Sequence, residues 1–238
     1  MTEIPPQEVE AGPRMIVFAG PNGSGKSTVT DGLKLDEEFP GVYINADDIA
    51  RTELGHIPDV TQRNLDAAKL AEQRRKDALD KGQPFAFETV MSTPGKLALL
   101  QEAKGKGFQV ELVFVTTRDA DINIARVSNR VTLGGHQVEP DKVRERYERA
   151  MQLLPSAVEL ADTADAFDNS GTEPVHVAMK RDKALELVKP QQECFFFLHN
   201  NLLLFVCRSV VRTDMERFML KILYDIYNYE SSTQTIKS

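Results

Sequence analysis

The sequence predicts a three-layer α/β fold in which a mostly parallel sheet lies between helices. Two observations carry this prediction. Short apolar runs of strand length alternate with helical patterns through about residue 180, and this alternation is typical of βαβ units. Residues 20–27 read Gly-Pro-Asn-Gly-Ser-Gly-Lys-Ser, a complete G-x-x-x-x-G-K-[ST] pattern between a predicted strand and a predicted helix.

That pattern is a phosphate-binding loop, so the fold class is that of P-loop NTPases and kinases. The apolar run at 14–19 supplies the buried strand before it, and 27–35 can form the helix after it. Glycines let consecutive N–H groups point inward around phosphate oxygens, the lysine reaches the β- and γ-phosphates, and the serine hydroxyl can hold Mg²⁺. The predicted nucleotide-binding residues of the loop are Gly20, Pro21, Asn22, Gly23, Ser24, Gly25, Lys26, Ser27 and Thr28, with Ser27 as the metal ligand.

The remaining elements follow in βα order. Strands are predicted at 41–45, 83–87, 108–117 and 164–167, and a long polar helix at 60–81. Thr93-Pro94 is a plausible N-cap with proline at the first helical position, and that helix should end at Gly105 or Gly107. A helix carrying Arg126 and Arg130 and an arginine-rich helix beginning at Pro140 complete the domain.

Composition indicates one large domain with an appendage. The 238 residues are 41% hydrophobic and 27% charged, with a formal net charge of −7, which disfavours a general nucleic-acid binder. Residues 1–13 are expected to be a flexible leader, because the N-terminus is acidic and lacks a signal-peptide pattern. Cys194 and Cys207 match no metal or redox spacing, so a cytoplasmic setting is expected.

The composition changes abruptly at residue 190. Beyond it there is no Gly, Pro or Ala, and two apolar runs at 195–198 and 202–206 are too short for the ~20 residues of a membrane span. Thr213 and Glu216 form a capping box before apolar residues at helical spacing, which predicts an amphipathic helix. The domain prediction is therefore a kinase-like domain at 14–189 and an extension of unknown role at 190–238.

Three carboxylates are expected at the ligand-binding edge of the sheet. Asp47 and Asp48 follow the second strand and Glu88 follows the next one, and ligands of open α/β sheets lie beyond the carboxyl ends of the strands. A carboxylate there could accept a proton from a substrate hydroxyl or ligate Mg²⁺ through water. Alternatively, Asp47 or Asp48 caps the following helix.

Arginines form the second set of candidate functional residues. Arg126 and Arg130 are four residues apart and share a helix face, and Arg144, Arg146 and Arg149 follow on the next helix. Guanidinium groups can neutralise the charge that develops during phosphoryl transfer. The Gly134-Gly135-His136 turn between the helices suggests a lid at about 131–143. The alternative for Arg144–Arg149 is a solvated face paired with neighbouring acids.

Two further positions are left open between function and local structure. The Asp168–Gly171 segment at the end of the last core strand either places Asn169 near the nucleotide base or forms an ordinary Asx turn. His136 either contacts phosphate or is simply solvated.

These segments together resemble the zeta-toxin family of P-loop kinases, in particular its small, stand-alone bacterial branch. The likeness rests on the phosphate loop and its Thr28, Ile-Asn-Ala-Asp-Asp-Ile-Ala at 44–50, Phe-Glu-Thr at 87–89 and Arg-Val-x₂-Gly-Gly-His at 130–136. Residues 144–149 and 168–170 extend it, so that it spans roughly 14–180.

The resemblance implies an ATP- and Mg²⁺-dependent kinase whose best-known members phosphorylate the 3′-hydroxyl of UDP-N-acetylglucosamine. It assigns catalysis to Asp47 and places Glu88 with Thr89 at the acceptor, although this threonine lies one position earlier than in the family. It maps the two phosphate-contacting arginines to Arg130 and to either Arg144 or Arg146. Asp48 and His136 join the predicted acceptor side, and an antitoxin is a possible partner.

The sequence therefore predicts a kinase that moves the γ-phosphoryl group of ATP to a hydroxyl of a small molecule, most plausibly a nucleotide sugar. The alternative is a P-loop ATPase acting as a switch or assembly factor. Such an ATPase should end a strand in Asp, whereas the clearest strand ends Val115-Thr116-Thr117. The intact loop disfavours a third reading, a non-catalytic interaction protein.

Overall fold

The structure is a computed structural model that describes residues 12–132, 138–181, 184–188, 194–199 and 202–207. The chain divides into two compact units, residues 1–186 and 187–238. The first contains the phosphate loop and the predicted site residues. Of the second, the structure describes mainly an antiparallel strand pair.

The first unit is built on a seven-stranded sheet with the order β2-β3-β1-β4-β5-β6-β7. The five strands from β2 to β5 are parallel, and β6 runs antiparallel to β5. The strands are β1 (Arg14–Ala19), β2 (Tyr43–Ile44), β3 (Phe85–Thr89), β4 (Gln109–Thr116), β5 (Thr163–Asp168), β6 (Val175–Arg181) and β7 (Ala184–Leu187).

Six helices belong to this unit in the part of the chain that the structure describes. They are α1 (Lys26–Leu33), α2 (Ala46–Thr52), α3 (Val60–Asp80), α4 (Pro94–Gly105), α5 (Ala120–Thr132) and α6 (Pro140–Leu160). Buried alanine and leucine side chains of α3, α4 and α6 pack on one face of the sheet. Val29 of α1 packs on the opposite face.

The central strand shows why the sheet needs helices on both sides. Met15, Val17 and Ala19 of β1 belong to one buried cluster, whereas Ile16 and Phe18 belong to the other. Because successive side chains of a strand point to opposite faces, an entirely apolar strand must be covered twice. The predicted three-layer fold with a mostly parallel sheet is confirmed.

The observed elements lie close to the predicted ones, and the second strand is shortened to two residues. The apolar runs near the C-terminus form β8 (Cys194–His199) and β9 (Leu202–Cys207), an antiparallel pair. None of the described helices is long and apolar enough to cross a membrane. The leader up to residue 11, His136 with the Gly-Gly turn of the predicted lid, and the predicted tail helix lie outside the described residues.

Candidate active site

The phosphate loop joins the end of β1 to α1 and has the conformation that its glycines allow. Gly25 is the residue before the helix and has a left-handed backbone with φ 85°. Gly20 lies so close to β4 that a Cβ atom there would overlap the carbonyl oxygen of Val115. Its N–H donates to the Thr89 carbonyl at 3.2 Å. The loop is therefore fixed between the carboxyl ends of β3 and β4.

Lys26, the first residue of α1, is buried beneath this loop. Its Nζ donates to the Gly20 and Pro21 carbonyls at 3.0 and 3.1 Å and lies 3.7 Å from Glu88 Oε1. Burial lowers the pKa of the ammonium group, against the opposing effect of the negative charges of Glu88 and Asp47. The lysine is held inside the loop, where its charge would face phosphates.

Glu88 is the centre of a compact polar network at the end of β3. Its Oε2 accepts hydrogen bonds from the Tyr43 hydroxyl and from Asn45 Nδ2, both at 3.1 Å, and from Ser27 Oγ at 3.5 Å. Burial raises the pKa of Tyr43, so the phenol is a reliable donor. The structure thus places Glu88 against Lys26 and Ser27 of the phosphate loop.

Asn45 links this network to the helix that carries the two predicted aspartates. Its side-chain oxygen accepts the Asp47 N–H at 2.8 Å and caps α2, while its Nδ2 donates to Glu88. The alternative that Asp47 or Asp48 caps the helix is wrong, because the cap lies one residue before the helix begins. Both aspartates lie in the first turn of α2, where the helix dipole favours negative charge.

The two aspartates differ in what surrounds them. Asp48 forms an ion pair with Arg51 at 2.8 Å. Asp47 is exposed, and its carboxylate makes no hydrogen bond or ion pair with any residue that the structure describes. Its charge nevertheless acts on Lys26, so it lies within electrostatic range of the phosphate loop.

A buried set of polar residues, which sequence reasoning missed, supports the loop from the other side. Asn123 of α5 is fully buried, donates to the Asn22 carbonyl at 2.8 Å and accepts a hydrogen bond from the Thr117 hydroxyl. The Thr117 carbonyl accepts the Tyr147 hydroxyl of α6 at 2.7 Å. The contacts of Asn123 with Asn22 and of Tyr147 with Thr117 join residues 101 and 30 positions apart, so no local sequence pattern predicts them.

The 168–171 segment is an Asx turn, with the Ser170 N–H donating to Asp168 Oδ1 at 2.8 Å. It also reaches the loop, because Asn169 Nδ2 donates to the Ser24 carbonyl at 2.8 Å. Arg126 holds the turn through the carbonyls of Asn169 and Gly171. Asn169 and Arg126 thus have structural partners, and their contact with a nucleotide stays a prediction.

The remaining arginines separate into two groups. Arg146 Nη1 donates to Asn22 Oδ1 of the loop at 3.3 Å. Arg149 pairs with Glu145 on the same helix, as the solvated-face alternative predicted. Arg144 also forms an exposed ion pair, but its partner is Asp121 of α5 and not one of the acids on α6. Arg130 is exposed at the end of α5, and its charge lowers the pKa of Lys26. The structure therefore brings Arg146 into contact with the loop, Arg130 lies within electrostatic range of Lys26, and the recorded partner of Arg144 is Asp121.

Comparison with known proteins decides what kind of site this is. A sequence model of the family described as zeta toxin matches residues 2–187. The chain belongs to the zeta-toxin family. Membership of this family makes it a nucleotide-dependent P-loop kinase, in agreement with the observed loop. A protein of Haemophilus influenzae described as uncharacterized is 30% identical over 134 residues, which are 56% of this chain and 92% of that protein.

Solved structures resemble the zeta-toxin fold seen here. The AvrRxo1-ORF1:-ORF2 complex with ATP matches with a TM-score of 0.56 at 16% identity, over 75% of this chain and 61% of that chain. The PezAT chromosomal toxin-antitoxin system of Streptococcus pneumoniae matches with a TM-score of 0.48 at 17% identity, over 71% and 75% of the two chains. At such identities the AvrRxo1-ORF1 likeness concerns the fold alone.

Proposed function

We propose that this protein transfers the γ-phosphoryl group of Mg²⁺·ATP to a hydroxyl of a nucleotide sugar, of which UDP-N-acetylglucosamine is the leading candidate. One observation carries the transfer: the exposed Asp47 carboxylate has no partner among the described residues, yet acts on the buried Lys26. A carboxylate beside a triphosphate site, and not engaged by an arginine or a cap, is available to accept a hydroxyl proton.

Each remaining residue has a role that its position supports. Lys26 and the loop amides would hold the β- and γ-phosphates. Arg130 and Arg146 would neutralise the charge on the equatorial oxygens of the transferred group. Asp47 would take the proton of the acceptor hydroxyl as its oxygen attacks the γ-phosphorus and the bond to the β-phosphate oxygen breaks.

The residues around Ser27 fit a magnesium ion. The Ser27 hydroxyl and the Glu88 carboxylate lie 3.5 Å apart, and both are the hard oxygen donors that Mg²⁺ prefers. Phosphate oxygens and water would supply the other ligands of such an ion. When bound, the ion would neutralise charge on the β- and γ-phosphates.

The family resemblance supports the nucleotide-sugar acceptor, with Glu88, Thr89 and Asp48 near it. The Thr89 hydroxyl accepts the N–H of Met91 at 3.3 Å, and Met91 is buried with a left-handed backbone of φ 54°. This strained turn fixes the segment that follows Glu88. A bound antitoxin and a cytoplasmic setting belong to the same proposal, and the antitoxin is supported by membership of the family described as zeta toxin.

The test is to incubate the protein with γ-labelled ATP and Mg²⁺ in the presence of nucleotide sugars, the matching free sugars and nucleosides. We expect label in a nucleotide sugar and little release of free phosphate. Label in none of the acceptors, with free phosphate as the product, would contradict the kinase proposal.

An ATPase that acts as a switch is the second candidate, because Glu88 lies beside Ser27 and belongs to β3, which pairs with β1. In P-loop ATPases an acid at such a place assists Mg²⁺ and water. The residue that directly follows β4 is Thr117, whose buried hydroxyl donates to Asn123. This strand therefore does not end in the carboxylate that such ATPases use. Phosphate release that rises when a macromolecule is added, without a labelled acceptor, would favour this candidate.

Asn45→Asp should reduce kcat/KM by about 10-fold, the effect of losing one charge-assisted hydrogen bond near the metal. Aspartate can still cap α2, but it replaces the Nδ2 donor by a carboxylate beside Glu88 Oε2. Any fall in the melting temperature of Asn45→Asp should come from repulsion between its carboxylate and Glu88, whereas Asn45→Ala loses the cap and about 1 kcal/mol of stability. Wild-type kinetics for Asn45→Asp would show that the Asn45 side chain does not contribute to the active site.

Arg146→Ala should lower kcat/KM by roughly 10- to 100-fold, because one guanidinium contact to charged phosphate is worth about 1.5–3 kcal/mol. The matched control is Arg144→Ala, on the same helix, whose exposed ion pair with Asp121 should leave kcat/KM within about 3-fold of wild type. Steady-state transfer assays on both variants decide. The reverse ranking would show that Arg144 is the arginine that reaches the phosphates.

A further inference from the structure

Tyr43, in the short strand β2, has a ring that is fixed by three neighbouring side chains. It packs against Phe18 and Phe39, with ring centroids 6.5 and 6.3 Å apart. The ammonium group of Lys34 lies 4.0 Å from the centre of its ring, which is a cation–π distance. A tyrosine side chain has only two χ angles, so these contacts leave its hydroxyl group in one place.

Asn45 fixes the direction in which the Tyr43 hydroxyl donates. The Asn45 side-chain oxygen accepts the Asp47 N–H, so its Nδ2 group faces the other way. That group donates to the Tyr43 oxygen at 3.2 Å and to Glu88 Oε2 at 3.1 Å. A phenol has one proton, and Tyr43 donates it to Glu88 Oε2 at 3.1 Å. The three side chains therefore form a closed triangle in which each hydrogen bond orients the next.

The two carboxylate oxygens of Glu88 have different surroundings. Oε2 accepts the hydrogen bonds from Tyr43 and Asn45, whereas Oε1 lies 3.7 Å from Lys26 Nζ. This separation is longer than a hydrogen bond, and the ammonium group donates instead to two carbonyls of the phosphate loop. Opposite charges this close attract each other strongly when they are partly shielded from water. The two donors on Oε2 draw the carboxylate away from a closer contact with the lysine.

We propose that Tyr43 is a positioning residue of the nucleotide site that acts through Glu88, because its hydroxyl keeps the carboxylate from forming a hydrogen-bonded ion pair with Lys26. A lysine in such a pair would have to break it before donating to phosphate oxygens. Hydrogen bonds to neutral carbonyls, in contrast, can be exchanged for stronger ones to a charged phosphate. The inference deepens the proposed function, since it rests on Lys26 as a residue that holds the phosphates.

Tyr43→Phe tests this role, because it removes the hydroxyl and keeps the ring. Glu88 should then move onto Lys26, and the Kd for a fluorescent ATP analogue should rise about 10-fold, the lower end of the range for a hydrogen bond to a charged group. Binding is measured on the full-length protein in EDTA, so that no effect on Mg²⁺ contributes.

The matched control is the same substitution in a Glu88→Gln background. Glutamine lacks the charge that would hold the lysine, so Tyr43→Phe should change the Kd there by less than about 2-fold. This double-mutant cycle separates an action through Glu88 from a general loss of structure. A Kd that rises equally in both backgrounds, or in neither, would overturn the inference.

The protonation of Lys26 provides a second measurement that needs no nucleotide. Burial lowers the pKa of this ammonium group, the charges of Glu88 and Asp47 raise it, and that of Arg130 lowers it. If Glu88 moves closer in Tyr43→Phe, the pKa of Lys26 should rise. NMR of isotope-labelled lysine side chains measures this pKa, with Lys26→Ala to assign the signal. A lower melting temperature with an unchanged pKa and an unchanged Kd would show that the hydroxyl only stabilises the fold.

Neither measurement depends on phosphoryl transfer, which keeps the role of Tyr43 distinct from the proposed function. A protein that transfers no phosphate but shows the coupling between Tyr43 and Glu88 refutes the kinase proposal and not the positioning role. An active kinase without this coupling refutes the positioning role and not the kinase proposal.

Discussion

Asp47→Ala is expected to reduce kcat by roughly 10²- to 10⁴-fold, the contribution typical of a positioned general base. The dissociation constant for ATP should change by less than about 3-fold, because the carboxylate is exposed and makes no contact with the loop. Single-turnover transfer to a nucleotide sugar, together with equilibrium binding of a fluorescent ATP analogue, measures the two quantities separately.

The neighbouring Asp48→Ala is the matched control for this variant. Asp48 shares the first turn of α2 and differs in its ion pair with Arg51, so its loss should alter kcat far less and act mainly on the KM for the acceptor, near which it is proposed to lie. Equal losses of transfer and of ATP binding in Asp47→Ala would remove the base assignment and point to a contact with Mg²⁺·ATP instead.

Lys26→Ala is expected to damage both ATP binding and transfer. Each charged hydrogen bond to phosphate is worth about 1.5–3 kcal/mol, or roughly 10- to 100-fold in affinity. Loss of a preorganised charge on the transferred group should lower kcat by a further ~10² or more. Isothermal titration with ATP and steady-state transfer at saturating acceptor measure the two effects.

Lys69→Ala controls for the loss of a lysine, because Lys69 is exposed and forms an ion pair with Asp66, three residues earlier on the same helix. The folded state of Lys26→Ala should survive, since Glu88 keeps its bonds from Tyr43 and Asn45. Unimpaired ATP binding in Lys26→Ala would show that the loop does not hold the nucleotide in the proposed way.

The parts of the site that lie in one stretch of chain were predictable. Within residues 14–33, an apolar run predicts the strand. The glycines and the lysine that follow it predict the phosphate loop and the start of the helix. Asp47 and Glu88 could be placed at one edge of the sheet because parallel strands end there. The sequence also contains the N-cap signal of Asn45, but aspartate is an equally common N-cap residue, so the pattern alone does not choose between Asn45, Asp47 and Asp48.

The non-local contacts could not be predicted. Asn123 and Asn169 contact the loop from 101 and 145 residues away, and any polar side chain on α5 or after β5 would look equally suitable in the sequence. The choice between Arg144 and Arg146 depends on how α6 is rotated about its axis. Residues that are two positions apart on a helix point in directions that differ by about 200°. Only tertiary packing therefore determines which of the two arginines faces the loop.

The hydrogen bonds that hold the phosphate loop in place have a thermodynamic consequence. Gly20 is held by β3, Asn22 by α5 and α6, and Ser24 by Asn169, so the backbone is ordered before any nucleotide arrives. Little chain entropy remains to be lost on binding, and little apolar surface changes its exposure. Calorimetry should therefore find association with ATP driven by enthalpy, with a small change in heat capacity.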